Sequence, residues 1–185
     1  ISFDPDSSIV YLVLEDGTLS CLTTYRTEAV TAWCKLNTAG KFISAAVIGD
    51  NIYFCVERKN GWFIEKFVDD YYSDCSLRLT SETPQRDWSG LEHLEGEEVV
   101  VLANGFSLGK FKVEEGEIHL LDEADEIIVG LPYEHLIEPL PYMVEAERPY
   151  SPKALRVIGA RFRILDSKSF CIDIGSGYFH YPLKR

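Results

Sequence analysis

The sequence predicts an all-β protein: an antiparallel, propeller-like meander of strands with a small β-barrel or sandwich domain inserted into it. Apolar and polar residues alternate over short runs, the period of a half-buried strand. Tight-turn pairs such as Asp16-Gly17 and Asn104-Gly105 separate these runs. No segment sustains a helical period. We therefore predict a parent domain over residues 1–87 and 142–185, and an inserted acidic domain over residues 88–141.

The N-terminal part of the chain predicts two groups of strands. The stretch SSIVYLVLEDGTLSCLTTYR places apolar residues on both sides of Asp16-Gly17, which predicts a hairpin. The stretch AVTAWCKL then alternates around Trp33. The stretch KFISAAVIGDNIYFCVERKNGWFIEKFV predicts three more strands, with turns at residues 49–51 and 59–61.

A weak repeat connects the two groups. Ile9 and Ile52 begin similar strand–turn–strand patterns 43 residues apart. The blades of β-propellers repeat every ~40–45 residues. Because the chain begins with Ile1 rather than methionine, we expect a piece of a longer protein that holds an incomplete propeller.

The predicted insert comes after a segment without alternation, residues 77–90, which we interpret as a linker. Turns at Asn104-Gly105 and Glu115-Gly116 then separate some of a series of short strands. These strands are Val99–Leu102, Phe106–Leu108, Phe111–Val113, Ile118–Leu121 and Ile127–Val129. Short strands at this density favour a small barrel or sandwich.

The insert ends in the stiff segment EIIVGLPYEHLIEPLP, which contains Pro132, Pro139 and Pro141. Proline ends a strand because it lacks a backbone donor. We expect Tyr133 to pack against the parent sheet and to fix the angle between the two domains.

A long strand is predicted beyond the prolines, in ALRVIGARFRILDSKSFCIDI, and we expect it to pair with strands of the N-terminal part, before the insert. Its apolar face would carry Ile158, Ala160, Phe162 and Ile164, opposite Arg161 and Arg163. The Gly-Ser-Gly of IGSGYFH predicts a turn, because it lacks the G-x-S-x-G pattern of a nucleophile elbow.

The charge distribution and the cysteines limit the classes of function that the chain can have. The net charge of −12 argues against a protein that coats duplex DNA. Residues 88–130 carry −9 and residues 151–185 carry +5, which suits either plain solubility or docking between unlike faces. The five cysteines form no C-x-x-C pair, so we predict a reduced, cytosolic chain without a zinc site. No apolar run approaches the ~18 residues that a membrane span needs.

We predict no catalytic, cofactor-binding or metal-binding residues. Asp4 to Glu15 matches part of a calcium loop, but Ile9 occupies the position that needs glycine, so a lead-in to a strand is favoured. Glu92-His93 and Glu134-His135 place an acid next to imidazole, but neighbours on a strand face opposite ways. A glycosidase pair among the many acids stays open.

Aromatic residues are the other candidates for binding. Trp33, Trp62, Trp88 and Tyr133 could stack on sugars or bases, although core packing is expected for Trp33 and Trp62.

Several stretches resemble one family. One stretch is similar to the end of the tail nozzle proteins of short-tailed phages and related prophages, the tail tubular protein B group. It is YLVLEDGTLSCLTTYRTEAVTAWCKLNTAGKFISAAVIGDNIYFCVER. Three further stretches resemble the part that follows in those proteins: LEHLEGEEVVVLANG, VEEGEIHLLDEADEIIVGLPYEHLIEPLP and RVIGARFRILDS. The likeness covers most of residues 8–168. It rests on D-G-T-L, A-W, L-x-G-x-x-V-x-V-L-A-x-G and V-G-L-P-Y, with Asn104 where the family has aspartate.

The resemblance implies a structural virion component without catalytic activity. Such proteins form an oligomeric ring below the portal and adaptor, assembled in the bacterial cytoplasm, and DNA passes through the ring during ejection. It also implies that the insert resembles the FCCH domain, the small β-barrel of ubiquitin-activating enzymes, although fold likeness does not carry function. The implied partners are copies of the chain, other tail and adaptor proteins and passing DNA, with no membrane insertion by this fragment. A carbohydrate-binding or glycan-degrading tail module is the alternative.

Overall fold

The computed structural model describes residues 1–25, 29–68, 70–138, 159–163 and 169–182. It confirms the all-β prediction: these residues form antiparallel strands and one 3-10 turn, and none of them lies in an α-helix. Four sheets result. Sheet A has the order β1-β2-β3-β4, sheet B β5-β6-β7, sheet C β10-β9-β11-β8 and sheet D β12-β13.

The bounds of the strands are given sheet by sheet. Sheet A consists of Ser2–Asp4 (β1), Ile9–Val13 (β2), Leu19–Tyr25 (β3) and Val30–Leu36 (β4). Sheet B consists of Lys41–Ile48 (β5), Asn51–Arg58 (β6) and Gly61–Lys66 (β7). Sheet C consists of Asp74–Ser89 (β8), Glu98–Ala103 (β9), Phe106–Lys112 (β10) and Glu117–Leu131 (β11), with the 3-10 turn at Glu92–Leu94. Sheet D consists of Ser169–Asp173 (β12) and Tyr178–Pro182 (β13).

The predicted hairpins of sheets A and B are confirmed. At the β2–β3 turn, Gly17 has a φ of 82°, and Asp16 Oδ1 accepts a hydrogen bond of 2.9 Å from the Thr18 amide. The turn also anchors sheet B, because the Phe42 amide donates to the Gly17 carbonyl at 2.8 Å.

Sheets A and B share one core. Its buried residues are Tyr11, Leu19, Cys21, Phe42, Phe54 and Val56. The Phe54 ring lies at the centre, with ring centroids 5.9 Å from Tyr11 and 5.2 Å from Phe42, both in edge-to-face geometry.

Sheet C corrects the predicted linker, because residues 77–90 lie almost entirely within β8. The alternation is lost there because β8 and β11 shift register between His119 and Ala124 and again between Ala124 and Glu126. Each shift is a wide bulge or irregularity with an odd number of extra residues on one strand, and it changes which face the next side chain occupies. Pro84 lies in the second bulged region, where a missing backbone donor breaks no ladder bond.

Two observed strands each combine strands that the sequence predicts separately. Phe106–Leu108 and Phe111–Val113 are predicted as two strands, but they belong to β10, except Val113, which lies just beyond it. Ile118–Leu121 and Ile127–Val129 both lie in β11. Within the described residues sheet C stays open, with β10 and β8 at its edges, rather than closing into a barrel.

Sheet C has its own core, because the bulges bring both halves of its long strands into one cluster. Val99, Val101, Ile127 and Val129 come from the paired centre of the sheet. The ends of β9 and β11 add Ala103 and Leu131. The rest of the cluster comes from the far ends of β8 and β11 and from the connections: Trp88, Leu91, Leu94, Val113, Ile118, Leu120 and Ala124.

Three predictions concern the C-terminal part. β11 ends at Leu131, immediately before Pro132, as the proline argument predicts, whereas Pro139 and Pro141 lie outside the described residues. The single long strand after the prolines is wrong over residues 159–163, which are irregular, while Ile158 and Ile164 lie outside the described residues. The Gly-Ser-Gly turn is confirmed: Asp173 Oδ1 accepts from the Gly175 amide at 2.7 Å.

The chain divides into two compact units, Ile1–Ile137 and Glu138–Arg185. Sheets A, B and C lie in the first unit, and sheet D lies in the second. The predicted parent and insert boundaries, and the propeller arrangement, stay predictions. No helix in the described ranges is long and apolar enough to cross a membrane.

Candidate functional site

A buried charge network in the first unit is centred on Arg58, at the end of β6. Its side chain is 5% exposed, and its guanidinium forms two bonds with Glu65, Nε to Oε1 at 2.5 Å and Nη2 to Oε2 at 2.6 Å. It donates two more to Asp74, Nη2 to Oδ1 at 3.0 Å and Nη1 to Oδ2 at 3.1 Å. A fifth bond, of 3.2 Å, runs from Nη1 to the Ala39 carbonyl. The planar guanidinium therefore has both carboxylates in forked contact.

Asp74 receives further hydrogen bonds from the strand connection before β5. Thr38 Oγ1 donates to Asp74 Oδ2 at 2.8 Å, and the Ala39 amide donates to the same oxygen at 2.9 Å. Burial alone would raise the pKa of Asp74, but the bonds from Arg58 and from the Ala39 amide lower it on balance. Burial would likewise lower the pKa of Arg58, and the bonds from Glu65 and Asp74 raise it instead. Asp74 and Arg58 therefore both favour their charged forms.

The local sequence explains why these groups meet. Phe54, Val56 and Arg58 occur at intervals of two on β6, so the Arg58 side chain lies on the same face as the two core residues. Glu65 pairs with Phe54 and shares that face. Sequence reasoning missed the network, although an arginine that continues an apolar face is a signal that a buried partner exists.

A shallow cavity of about 90 Å³ lies beside the network, too small for the ~300–1,000 Å³ of a typical ligand pocket. Its lining includes Arg58, Lys59, His93, Leu94 and Glu97. Burial lowers the pKa of His93, although a hydrogen bond with the Cys75 carbonyl opposes the shift. The second cation of the lining also has an acidic partner, because Lys59 Nζ lies 2.9 Å from Glu97 Oε1. This arrangement stabilises the junction of sheets B and C and offers no evident reactive group.

The second feature is an apolar row on the outer face of sheet A. The register places Phe3, Val10, Leu22 and Trp33 directly beside one another across β1, β2, β3 and β4. Tyr11 and Cys21, the next positions along β2 and β3, are buried in the core, so the row lies on the opposite face. Phe3 and Trp33 are exposed, the latter by 59%. We call these four residues the outer apolar row.

The candidate aromatic residues divide differently from the prediction. Core packing is wrong for Trp33 and for Trp62, which is 65% exposed, because alternation assigns a face without telling whether another layer covers it. Trp88 is 2% exposed and cannot serve as a stacking platform. Its Nε1 is buried without a partner among the described residues. Tyr133 is 43% exposed and packs edge-to-face on His135 at 4.5 Å between ring centroids.

Neither of the two acid–imidazole neighbours lies on a strand, contrary to the sequence-based prediction. Glu92 and His93 lie in a 3-10 turn rather than on a strand, and the His93 ring bonds to the Cys75 carbonyl. A different pair joins His119 Nδ1 to Asp87 Oδ1 at 2.6 Å, with both side chains well exposed. It lies in an open cleft of about 360 Å³ with Phe111, Lys112, Glu114, Glu117 and Ile118. No serine, threonine or cysteine lines this cleft.

Two acidic residues of the candidate calcium loop lie at the β1–β2 turn, where Asp4 is buried and Asp6 is exposed. Asp6 lies within hydrogen-bonding reach of Asp50, and this contact raises the pKa of Asp6. That separation is shorter than the ~5–10 Å between glycosidase carboxylates. Asp4 accepts from Ser7 Oγ and from the Asp6 amide, which builds the β1–β2 turn in place of a calcium loop. Across the described residues no three His, Cys, Asp or Glu side chains are arranged to hold a metal ion.

Comparison with known proteins adds no family. Neither a protein-family model nor a curated protein matches the sequence. The resemblance to tail nozzle proteins therefore rests on the sequence motifs alone.

Proposed function

We propose that this chain is a non-catalytic structural component of a phage or prophage tail, part of the nozzle ring through which DNA passes. The sequence resemblance supplies the family, and the outer apolar row is the structural observation that supports it. The chain would then reside in the virion after assembly in the bacterial cytoplasm.

The outer apolar row favours an assembly component because sheet A carries apolar residues on both faces. A sheet that faces water on one side normally alternates apolar and polar positions. A row that includes Trp33 and Phe3 is instead typical of a surface that a neighbouring protein covers. In a ring the neighbour is a second copy, which contacts the row through an unlike face.

The charge distribution is compatible with passage of DNA. The net −9 of residues 88–130 disfavours adhesion of a phosphate backbone, whose binding depends on basic side chains. Most of the basic residues of the C-terminal part lie outside the described residues: Lys153, Arg156, Lys168, Lys184 and Arg185. Docking of that set onto an acidic neighbour stays part of the proposal.

Peptide mass spectrometry of purified particles, from the phage or the induced prophage that encodes the chain, tests the function. We expect tryptic peptides of this chain at several copies per particle. Their absence from intact, infectious particles would rule out the nozzle assignment.

A substitution in the encoding genome tests the surface. Trp33→Ser should leave the chain folded, because the residue is exposed, and should deplete it from particles. Leu121→Ser is the matched control, since Leu121 is also an exposed apolar residue but lies outside the row. Equal retention of both variants would contradict a role for the row in assembly.

Glycan binding is a second candidate, favoured by Trp62. Its exposed ring lies directly opposite Glu57 on the outer face of sheet B, and an aromatic platform beside a carboxylate suits a sugar. A glycan array with wild type and Trp62→Ala checks this function, and chromogenic glycosides check for hydrolysis. Signal that is equal for both proteins would remove Trp62 from consideration.

A further inference from the structure

Two cysteines lie directly opposite each other in sheet A. Cys21 on β3 pairs with Cys34 on β4. Cys21 is buried in the core and Cys34 is exposed, on the edge strand of the sheet. All five cysteines are free thiols, and no described strand other than β3 pairs with β4.

The backbone pattern shows which kind of pair this is. Between β2 and β3, the Leu14 amide donates to the Thr18 carbonyl and the Thr24 amide to the Ser8 carbonyl. Hydrogen-bonded and non-bonded pairs alternate along a ladder, so Tyr11 and Cys21 form a non-bonded pair. The peptide groups of Cys21 consequently point towards β4, and Cys21–Cys34 is a hydrogen-bonded pair. Such pairs have Cα atoms about 5.5 Å apart, within the range of about 4.4–6.8 Å that disulfides span.

The two thiols also differ in reactivity. Burial, together with the smaller effect of the contact with Cys34, raises the pKa of Cys21 to about 12. Since the thiolate is the nucleophile, the buried Cys21 reacts slowly with an oxidant in solution. Cys34 meets solvent and has a resolving thiol beside it, the arrangement that peroxide-sensitive cysteines use.

We propose that Cys21 and Cys34 form a redox site that hydrogen peroxide converts to a reversible cross-strand disulfide. The Cys34 thiolate attacks a peroxide oxygen: an S–O bond forms, the O–O bond breaks, and the departing hydroxide takes a proton to become water. Cys21 sulfur then attacks the Cys34 sulfenic acid, so that the S–S bond forms and the S–O bond breaks. The leaving hydroxide takes the Cys21 proton as a second water. Two thiols lose two electrons and one peroxide gains them.

The bond would hold the edge strand β4 to β3. A disulfide at a hydrogen-bonded pair must pull its Cβ atoms closer than the pair's resting geometry, and strained disulfides are the easily reduced ones. Reduced glutathione should therefore reduce this disulfide and restore the two thiols. The proposal does not depend on the virion assignment.

Trypsin makes the test direct, because it places each cysteine on a different peptide. Cleavage after Arg26 and Lys35 separates residues 1–26, with Cys21, from residues 27–35, with Cys34. The full chain is treated with hydrogen peroxide, its remaining thiols are alkylated, and the digest is analysed by mass spectrometry without reduction. We expect these two peptides joined and two hydrogen atoms lighter than their sum, and separated again by reduced glutathione.

Matched variants decide the assignment. Cys171→Ser should keep the link, and Cys34→Ser should abolish it while leaving the circular dichroism spectrum unchanged, since both residues are exposed. Over-oxidation of Cys34 without the link would overturn the proposal. A link formed equally fast by Cys171 and any partner would overturn it too, as would a bond that glutathione cannot reduce.

Discussion

Arg58 is a charged residue at a core position, and it is tolerated there because two carboxylates pair with it. It occupies a position on β6 that alternation assigns to the interior, beside Val56 and Phe54. A lone guanidinium there would be costly, and the forked contacts with Glu65 and Asp74 offset that cost. The network therefore makes each member dependent on the others.

Replacement of Arg58 should destabilise the first unit strongly. Arg58→Met keeps the apolar stem but leaves Glu65 and Asp74 without their cation, which typically costs about 3–5 kcal/mol. Arg78→Met is the matched control, because the Arg78–Glu126 pair is half exposed and such pairs contribute about 0–1 kcal/mol. Urea unfolding gives both free energies. Similar losses for the two variants would contradict a dominant role for the buried network.

Asp74 should make stability depend on pH in acid. Its pKa in the folded protein lies below the ordinary 3.8, so the unfolded chain binds the proton more tightly. The stabilisation is complete above about pH 4 and is lost as pH falls through the folded pKa. The gap between wild type and Asp74→Asn in unfolding free energy should be widest at neutral pH and shrink below pH 3.8. A gap that stays constant from neutral pH into acid would contradict this.

At the scale of elements, sheet C depends on its bulges. β8 and β11 are long strands whose register shifts bring their two halves into one core. A third shift lies between Val129 and Leu131, where Gly130 meets the start of β8. Bulges let a strand bend, and small residues allow the close approach that results.

Gly130 should not accept a side chain. An added Cβ would lie 2.5 Å from Ser76 Oγ and 2.8 Å from the Asp74 carbonyl oxygen, so Gly130→Ala forces a backbone shift. Overpacking of this kind costs about 1–3 kcal/mol. Gly159→Ala is the control, since its Cβ would meet no described residue within 4 Å. Thermal unfolding measures both variants, and an unchanged midpoint for Gly130→Ala would contradict the close contact.

At the scale of the whole molecule, both cores and the Arg58 network lie within Ile1–Ile137. We therefore expect a fragment of residues 1–137 to fold alone, with the urea midpoint and near-ultraviolet circular dichroism of the first unit in the full chain. The predicted parent domain implies that this fragment would not fold alone, because that domain includes residues 142–185. A fragment that lacks a cooperative transition would favour the parent-and-insert division.

The all-β class, the hairpin turns and the end of β11 could be predicted from the sequence. Each depends on local chemistry: period-two alternation, Gly and Asn at positive φ, and a proline without a donor. Asn104 and Gly105 illustrate this, with φ values of 48° and 79° in the predicted turn.

Which strand faces are covered, and which distant groups meet, depends on the tertiary structure. Alternation cannot distinguish the buried Trp88 from the exposed Trp33, because burial depends on a second layer contributed by remote residues. The register shifts hide the alternation of β8, which the sequence alone therefore presents as a linker. Each shift inserts an odd number of extra residues into one strand and so reverses the faces of the residues after it. Arg58 and Asp74 are 16 residues apart, and Cys21 and Cys34 lie on different strands. The pairing register that joins them is a property of the assembled sheets rather than of any local segment.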